Sequence, residues 1–114
     1  MKHPDSFHDF VVYDLLSEVG GIRSRRMFGG WGIYCDPIFF AIIFENQLYL
    51  KAGAALAEDF KKGGSEQFVY DKKQGKQRKQ VAMSYFSVPE DVLEDREEFL
   101  RWVTRSITSI SKKL

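Results

Sequence analysis

Between Asp5 and Val19, apolar residues fall at Phe7, Val11 and Leu15, with Phe10, Leu16 and Val19 beside them. Steps of three and four put such residues on one face of a helix. Asp5 or Ser6 caps its start, and Gly20-Gly21 stops it. The pattern then changes. Arg23 to Tyr34 reads as strand broken by glycines, Asp36-Pro37 as a turn and Ile38 to Phe44 as a buried strand. Glu45-Asn46 turns the chain again, and Leu48-Tyr49-Leu50-Lys51 alternates as a further strand. Turns this short join antiparallel neighbours, because parallel strands need long crossovers.

Ala52 to Lys62 is alanine-rich with Leu56 and Phe60 four apart, which predicts a second helix ended by Gly63-Gly64. Phe68 to Tyr70 and Val81 to Val88 predict a strand pair, joined by a polar, basic connection from Asp71 to Gln80 with Gly75 at its tip. The last third is helical. Ser87 and Glu90 have capping-box spacing, with Pro89 near the first turn, and Asp95 with Glu98 forms a second such box. Two helices with a bend are therefore expected. Phe99, Trp102, Val103 and Ile107 give the stripe that should cover the sheet. The order α-β-β-β-β-α-β-β-α predicts an α+β fold of two layers, an antiparallel sheet with helices packed on it. Residues 1–114 are read as a single domain, since 114 residues suit one core and not two.

Composition narrows the function only a little. The net charge is +1, so an electrostatic case for nucleic acid must be local. Cys35 is the only cysteine, which excludes an intramolecular disulfide and suits a reducing cytoplasm. The N-terminus has no apolar h-region, so no signal peptide is expected. The longest apolar run, Ile38 to Phe44, is too short to span a bilayer. A cytoplasmic domain without a membrane partner follows as the expectation.

Candidate chemistry is sparse. His3 and His8 have no neighbouring ligand residues, while zinc sites need about four. They read as partly exposed residues at a helix start, and no metal or cofactor is expected. Cys35 lacks an evident base and reads as a small buried hydrophobe. Gly29-Gly30-Trp31-Gly32 lacks the Gly-Lys-Ser/Thr of a phosphate loop, and the chain continues as strand, so its glycines serve a bulge or a close backbone approach. The acids from Glu90 to Glu98 suit helix N-termini. No catalytic residue is assigned, and the chain is not expected to be an enzyme. Two basic clusters remain as candidate interaction surfaces: Arg23, Arg25 and Arg26, and Lys72, Lys73, Lys76, Arg78 and Lys79. Clustered cations hold phosphates or an acidic protein surface. The spatial relation of the two clusters is open at this level.

Ser24-Arg-Arg-Met-Phe-Gly-Gly-Trp-Gly-Ile-Tyr34 resembles the Met-Phe-Gly-Gly-x-Gly signature of the TfoX/Sxy N-terminal domain. Leu48 to Lys51, Phe68 to Tyr70, Met83 to Pro89, Leu93 to Asp95 and Trp102 resemble later family segments in the same order. The signature residues are Met27, Phe28, Gly29, Gly30, Gly32, Tyr34, Tyr49, Lys51, Phe68, Tyr70, Met83, Tyr85, Pro89 and Trp102, and most read as structural. Asp36-Pro37 departs from the expected Asp-Gly. The resemblance implies a regulator of natural competence in bacteria, non-catalytic, acting as a coactivator with a transcription regulator as protein partner. It also implies a stand-alone form without the family's C-terminal domain. A nucleic-acid-binding module using the basic hairpin is the alternative.

Overall fold

A computed structural model describes the backbone of residues 6–27, 29–74 and 77–111, and their side chains apart from residues 70–83 and 111. Helix α1 (Ser6–Asp9) continues as a π-helical segment, Phe10–Leu15, in which the Leu16 amide donates to the Val11 carbonyl at 3.0 Å. The helix ends at Leu15 and not at Val19, because the Ser17 and Val19 amides fold back onto Asp14 and Leu16 in tight turns.

Strands β1 (Ile22–Met27), β2 (Gly30–Cys35), β3 (Ile38–Phe44) and β4 (Gln47–Lys51) form three successive antiparallel hairpins. Glu45 and Asn46 both have positive φ, 52° and 60°, which suits the twist of a two-residue hairpin turn. The chain crosses the sheet through α2 (Ala54–Lys62), and β6 (Gln77–Ser87) then pairs with β4, with β5 (Gln67–Gln74) outside it. The result is one six-stranded antiparallel sheet in the order β1-β2-β3-β4-β6-β5. Two helices close the chain, α3 (Glu90–Leu93) and α4 (Arg96–Ser111). The α+β order read from the sequence holds.

The glycine run does what its strand context requires. Gly29 turns β1 into β2 with φ of 78°. A Cβ on Gly30 would stand 2.1 Å from the Ile43 carbonyl oxygen, so only glycine lets β2 and β3 approach there. The register also slips at Ile33/Tyr34, where Ile33 faces Ala41 but Tyr34 faces Phe39. Phe40 is the extra residue of this bulge, and Phe40 and Ala41 are both fully buried on the helix side.

The main core joins Val11, Leu15 and Leu16 to Leu56, Phe60, Phe99 and Val103 across Ile33, Phe40, Leu48, Leu50 and Phe86. Phe99 and Val103 are buried as expected, while Trp102 and Ile107 pack at the rim. Ser106 is buried in the middle of α4, and its hydroxyl donates to the Lys51 carbonyl at 2.5 Å, fastening α4 to β4. Trp102 packs on Phe60 with centroids 4.6 Å apart, and Arg105 pairs with Asp59, so α2 and α4 are joined twice.

Of the local expectations, one holds and two change. Asp95 does cap α4, accepting the Glu98 amide at 3.2 Å. Ser87, in contrast, caps nothing, because its hydroxyl accepts the Glu66 amide at 2.9 Å, and α3 starts at Pro89 without a side-chain cap. Residues 71–74 and 77–80 are strand and not loop, paired from Asp71↔Gln80 to Gln74↔Gln77. Antiparallel pairing set at Val69↔Ala82 carries on down the hairpin despite the polar sequence. Gly75 and Lys76 lie outside the described residues.

Candidate interaction surfaces

The helices all pack on one face of the sheet. The other face carries a second apolar cluster made only of strand residues: Ile42, Phe68 and Tyr85 are buried, with Phe39, Phe44 and Tyr49 packed around them. Across this face runs a ladder of cations and rings. The Arg23 guanidinium lies 4.2 Å above Tyr34, Tyr34 stacks on Phe39 at 4.7 Å, Phe39 meets Tyr85 at 5.9 Å, and the Lys51 ammonium stands 5.8 Å from Tyr85. Phe68 meets Phe44 at 5.6 Å and Tyr49 at 5.0 Å. Burial, aided by the neighbouring Tyr34, pushes the Tyr85 hydroxyl up to about 12. Burial also raises Tyr49, with Glu66 and Glu45 adding to it.

Most of the described residues that read as the family signature sit here. Met27 lies over Gly32, where a Cβ would come within 2.6 Å of its terminal carbon. Tyr34, Tyr49, Lys51, Phe68 and Tyr85 are in the cluster or the ladder. The side chains of Tyr70 and Met83 lie outside the described residues. Gly29 and Gly30 shape the backbone, Pro89 starts α3, and Trp102 packs between α2 and α4. Phe28 lies outside the described residues.

The two basic clusters do not form one surface. Arg23, Arg25 and Arg26 lie on β1, and Lys72, Lys73, Arg78 and Lys79 on β5 and β6, so they occupy opposite ends of the strand order. Lys76 lies outside the described residues. The Arg23 Nε donates to both Asp36 carboxylate oxygens, at 3.1 and 3.0 Å, and this pair holds its charge above the ordinary arginine range. Arg26 lies 5.0 Å over Trp31.

His8 is the residue that the sequence reading misplaces. It is buried and not at a frayed, exposed start. Its ring stacks on Trp31 at 3.9 Å, with Nδ1 2.9 Å from Asp9 and Nε2 2.9 Å from the Ser24 hydroxyl. The clue lay in helical spacing, since His8 shares the inner stripe with Val11, Val12 and Leu15. Aspartate, imidazole and hydroxyl thus stand in the order of a nucleophile relay. The ring, however, is covered by Trp31, and neither of the two described hollows is lined by these residues. One hollow of about 530 Å³ lies on α4 beside Leu100 and Arg101, and one of about 260 Å³ lies between Phe7 and Leu93. The string Asp9–His8–Ser24 pins the first helix to β1. His3 lies outside the described residues. Cys35 is only partly buried, with its thiol 3.5 Å from the Gly20 carbonyl. Among the described residues no helix is long and apolar enough to cross a membrane.

These features define a small α+β domain with one helix-backed and one open sheet face. The TfoX N-terminal domain model matches residues 14–110, and the chain belongs to that family. Over 78 residues it is 27% identical to the DNA transformation protein TfoX1 of Aliivibrio fischeri (strain ATCC 700601 / ES114), an overlap of 68% of this chain and 35% of the relative. The chain therefore spans little more than a third of that relative's length.

Proposed function

We propose that this domain is a non-catalytic regulatory module in DNA transformation, acting in the cytoplasm through a protein partner that is a DNA-bound transcription regulator. The observation that carries the reading is the gathering of family residues on the open face. Met27, Tyr34, Tyr49 and Lys51 are half-buried around a strand-only cluster and take no part in the helix-backed core. Exposed Arg25 lies beside them, opposite Gly32 on β2. Aromatics, Met and Arg are the residue types enriched where proteins meet. Family membership and the printed name of the relative support the link to transformation. The absence of catalysis is supported by Cys35, whose thiol rests on a backbone carbonyl, and by His8, whose ring is held under Trp31.

The test is capture from the native cell, followed by titration of the recovered regulator in purified form. Arg25→Glu with Lys51→Glu should weaken binding at least tenfold while leaving the melting temperature within a few degrees. Undiminished binding by the double variant, or recovery of no transcription regulator, would refute the reading.

A further inference from the structure

We propose that the outer edge of β1 takes up an acidic, extended segment of the protein partner as a further strand of the sheet. This rests on the partner-binding reading above and deepens it, by giving the kind of segment and the place where it lies. β1 ends the strand order, and among the described residues β2 is its one strand neighbour. The Asp36 amide donates to the Gly21 carbonyl at 3.0 Å, and the register runs on unbroken through Ile22↔Cys35, Arg23↔Tyr34 and Ser24↔Ile33. Bonded and non-bonded pairs alternate along an antiparallel ladder. Gly21, Arg23 and Arg25 therefore turn their amides and carbonyls toward β2, while Ile22 and Ser24 turn theirs outward. An edge of this kind is a template for pairing with another chain.

The side chains along the edge say what the added strand carries. Arg23 and Arg25 are exposed on the open-face side. Asp36 already holds Arg23, but Arg25 has no ion pair among the described residues. On the helix side Ile22 is half-buried, and Ser24 bonds His8, whose ring meets Tyr13 at 5.8 Å. Tyr13 is 69% exposed, more than any other large hydrophobic residue described. A strand laid here points alternate side chains to the two sides. Carboxylates then fall beside Arg25, and β-branched residues fall on the side of Ile22 and Tyr13. A second copy of this chain does not suit the edge. Antiparallel pairing of two β1 strands about Ser24 would set Arg23 against Arg25 across the copies, and like charges directly opposite destabilise a sheet. The same arginines favour an acidic strand.

The probe is a terminally blocked peptide as long as β1, alternating Glu with Val or Thr, titrated into the intact chain at low salt. Amide exchange followed by NMR should show the Ile22 and Ser24 amides protected at least about tenfold more in the complex. Methylating one alternate set of peptide amides should abolish binding and methylating the other should spare it, since only every second amide of a strand faces its neighbour. Gln in place of every Glu should weaken binding by roughly tenfold. Ser24→Pro removes an outward amide without touching the β2 ladder and should weaken binding by roughly tenfold, whereas Ser24→Ala should not. If Ser24→Pro fails to fold, the two methylated peptides decide. No binding, binding without protection at Ile22 and Ser24, equal effects of the two methylated sets, or full binding of the Gln peptide would overturn the proposal. The open-face reading is judged separately. A regulator released by Arg25→Glu with Lys51→Glu but not by folded Ser24→Pro leaves that reading standing and removes this one.

Discussion

The two faces of the sheet are built differently, although the same strands make both. The helix-backed face is closed by Val11, Leu15, Leu56, Phe60, Phe99 and Val103, and its buried polar residues His8 and Ser106 both have partners. The open face holds a smaller cluster, with rings lying on rings and cations at the ends of the ladder. Burial of that kind on one side supplies most of the stability of a domain this size. The other side carries no helix among the described residues, and most of the described residues read as the family signature collect there. What stabilises this molecule and what identifies its family are thus largely separated by the thickness of one sheet.

Substitutions on the two faces should differ in the same sense. Phe99→Ala, at the centre of the helix-backed face, should cost about 3–5 kcal/mol. A denaturant titration showing a loss under about 1 kcal/mol would break the distinction. Gly30→Ala places a methyl against the Ile43 carbonyl and should cost about 1–3 kcal/mol, read in the same way. Tyr49→Ala on the open face removes its contact with Phe68 and should cost only about 0.5–1.5 kcal/mol.

The open face should also show in the pH dependence. Tyr85 loses its proton at about 12 in the fold against an ordinary 10.0, so the folded state favours the neutral phenol. Its contribution to stability is whole below pH 10 and is lost as pH rises toward 12. Melting curves of the parent should therefore fall faster than those of Tyr85→Phe over that window. The smallest effect belongs to the β5–β6 hairpin. Neutralising Lys72, Lys73, Arg78 and Lys79 should move stability by less than about 0.5 kcal/mol, checked by calorimetry.

Much of this architecture was legible because periodicity reports local structure. The helix from Ser6, the hairpin turns at Asp36-Pro37 and Glu45-Asn46, the stripe through Phe99 and Val103, and the close approach at Gly30 all follow from spacing and residue type. What escaped depends on neighbours distant in sequence. His8 looks like a surface residue until Trp31, 23 positions on, covers it. Phe40 and Ala41 break strict alternation, and only the slip against β2 turns both inward. Residues 71–74 and 77–80 have the composition of a loop, yet pairing fixed nearer the sheet extends through them. Only the basic clusters were legible as candidate surfaces, and the aromatic residues of the open face read as structural. The separation of the two clusters, with one at each end of the strand order, needed the topology.

The separation of stability from recognition is tested most directly by transformation frequency in the native host, with the chromosomal copy replaced by Arg25→Glu and Lys51→Glu at unchanged protein level and melting temperature. A drop of at least tenfold is the result expected if the open face serves recognition. Transformation at the parental frequency by this folded variant would contradict the account.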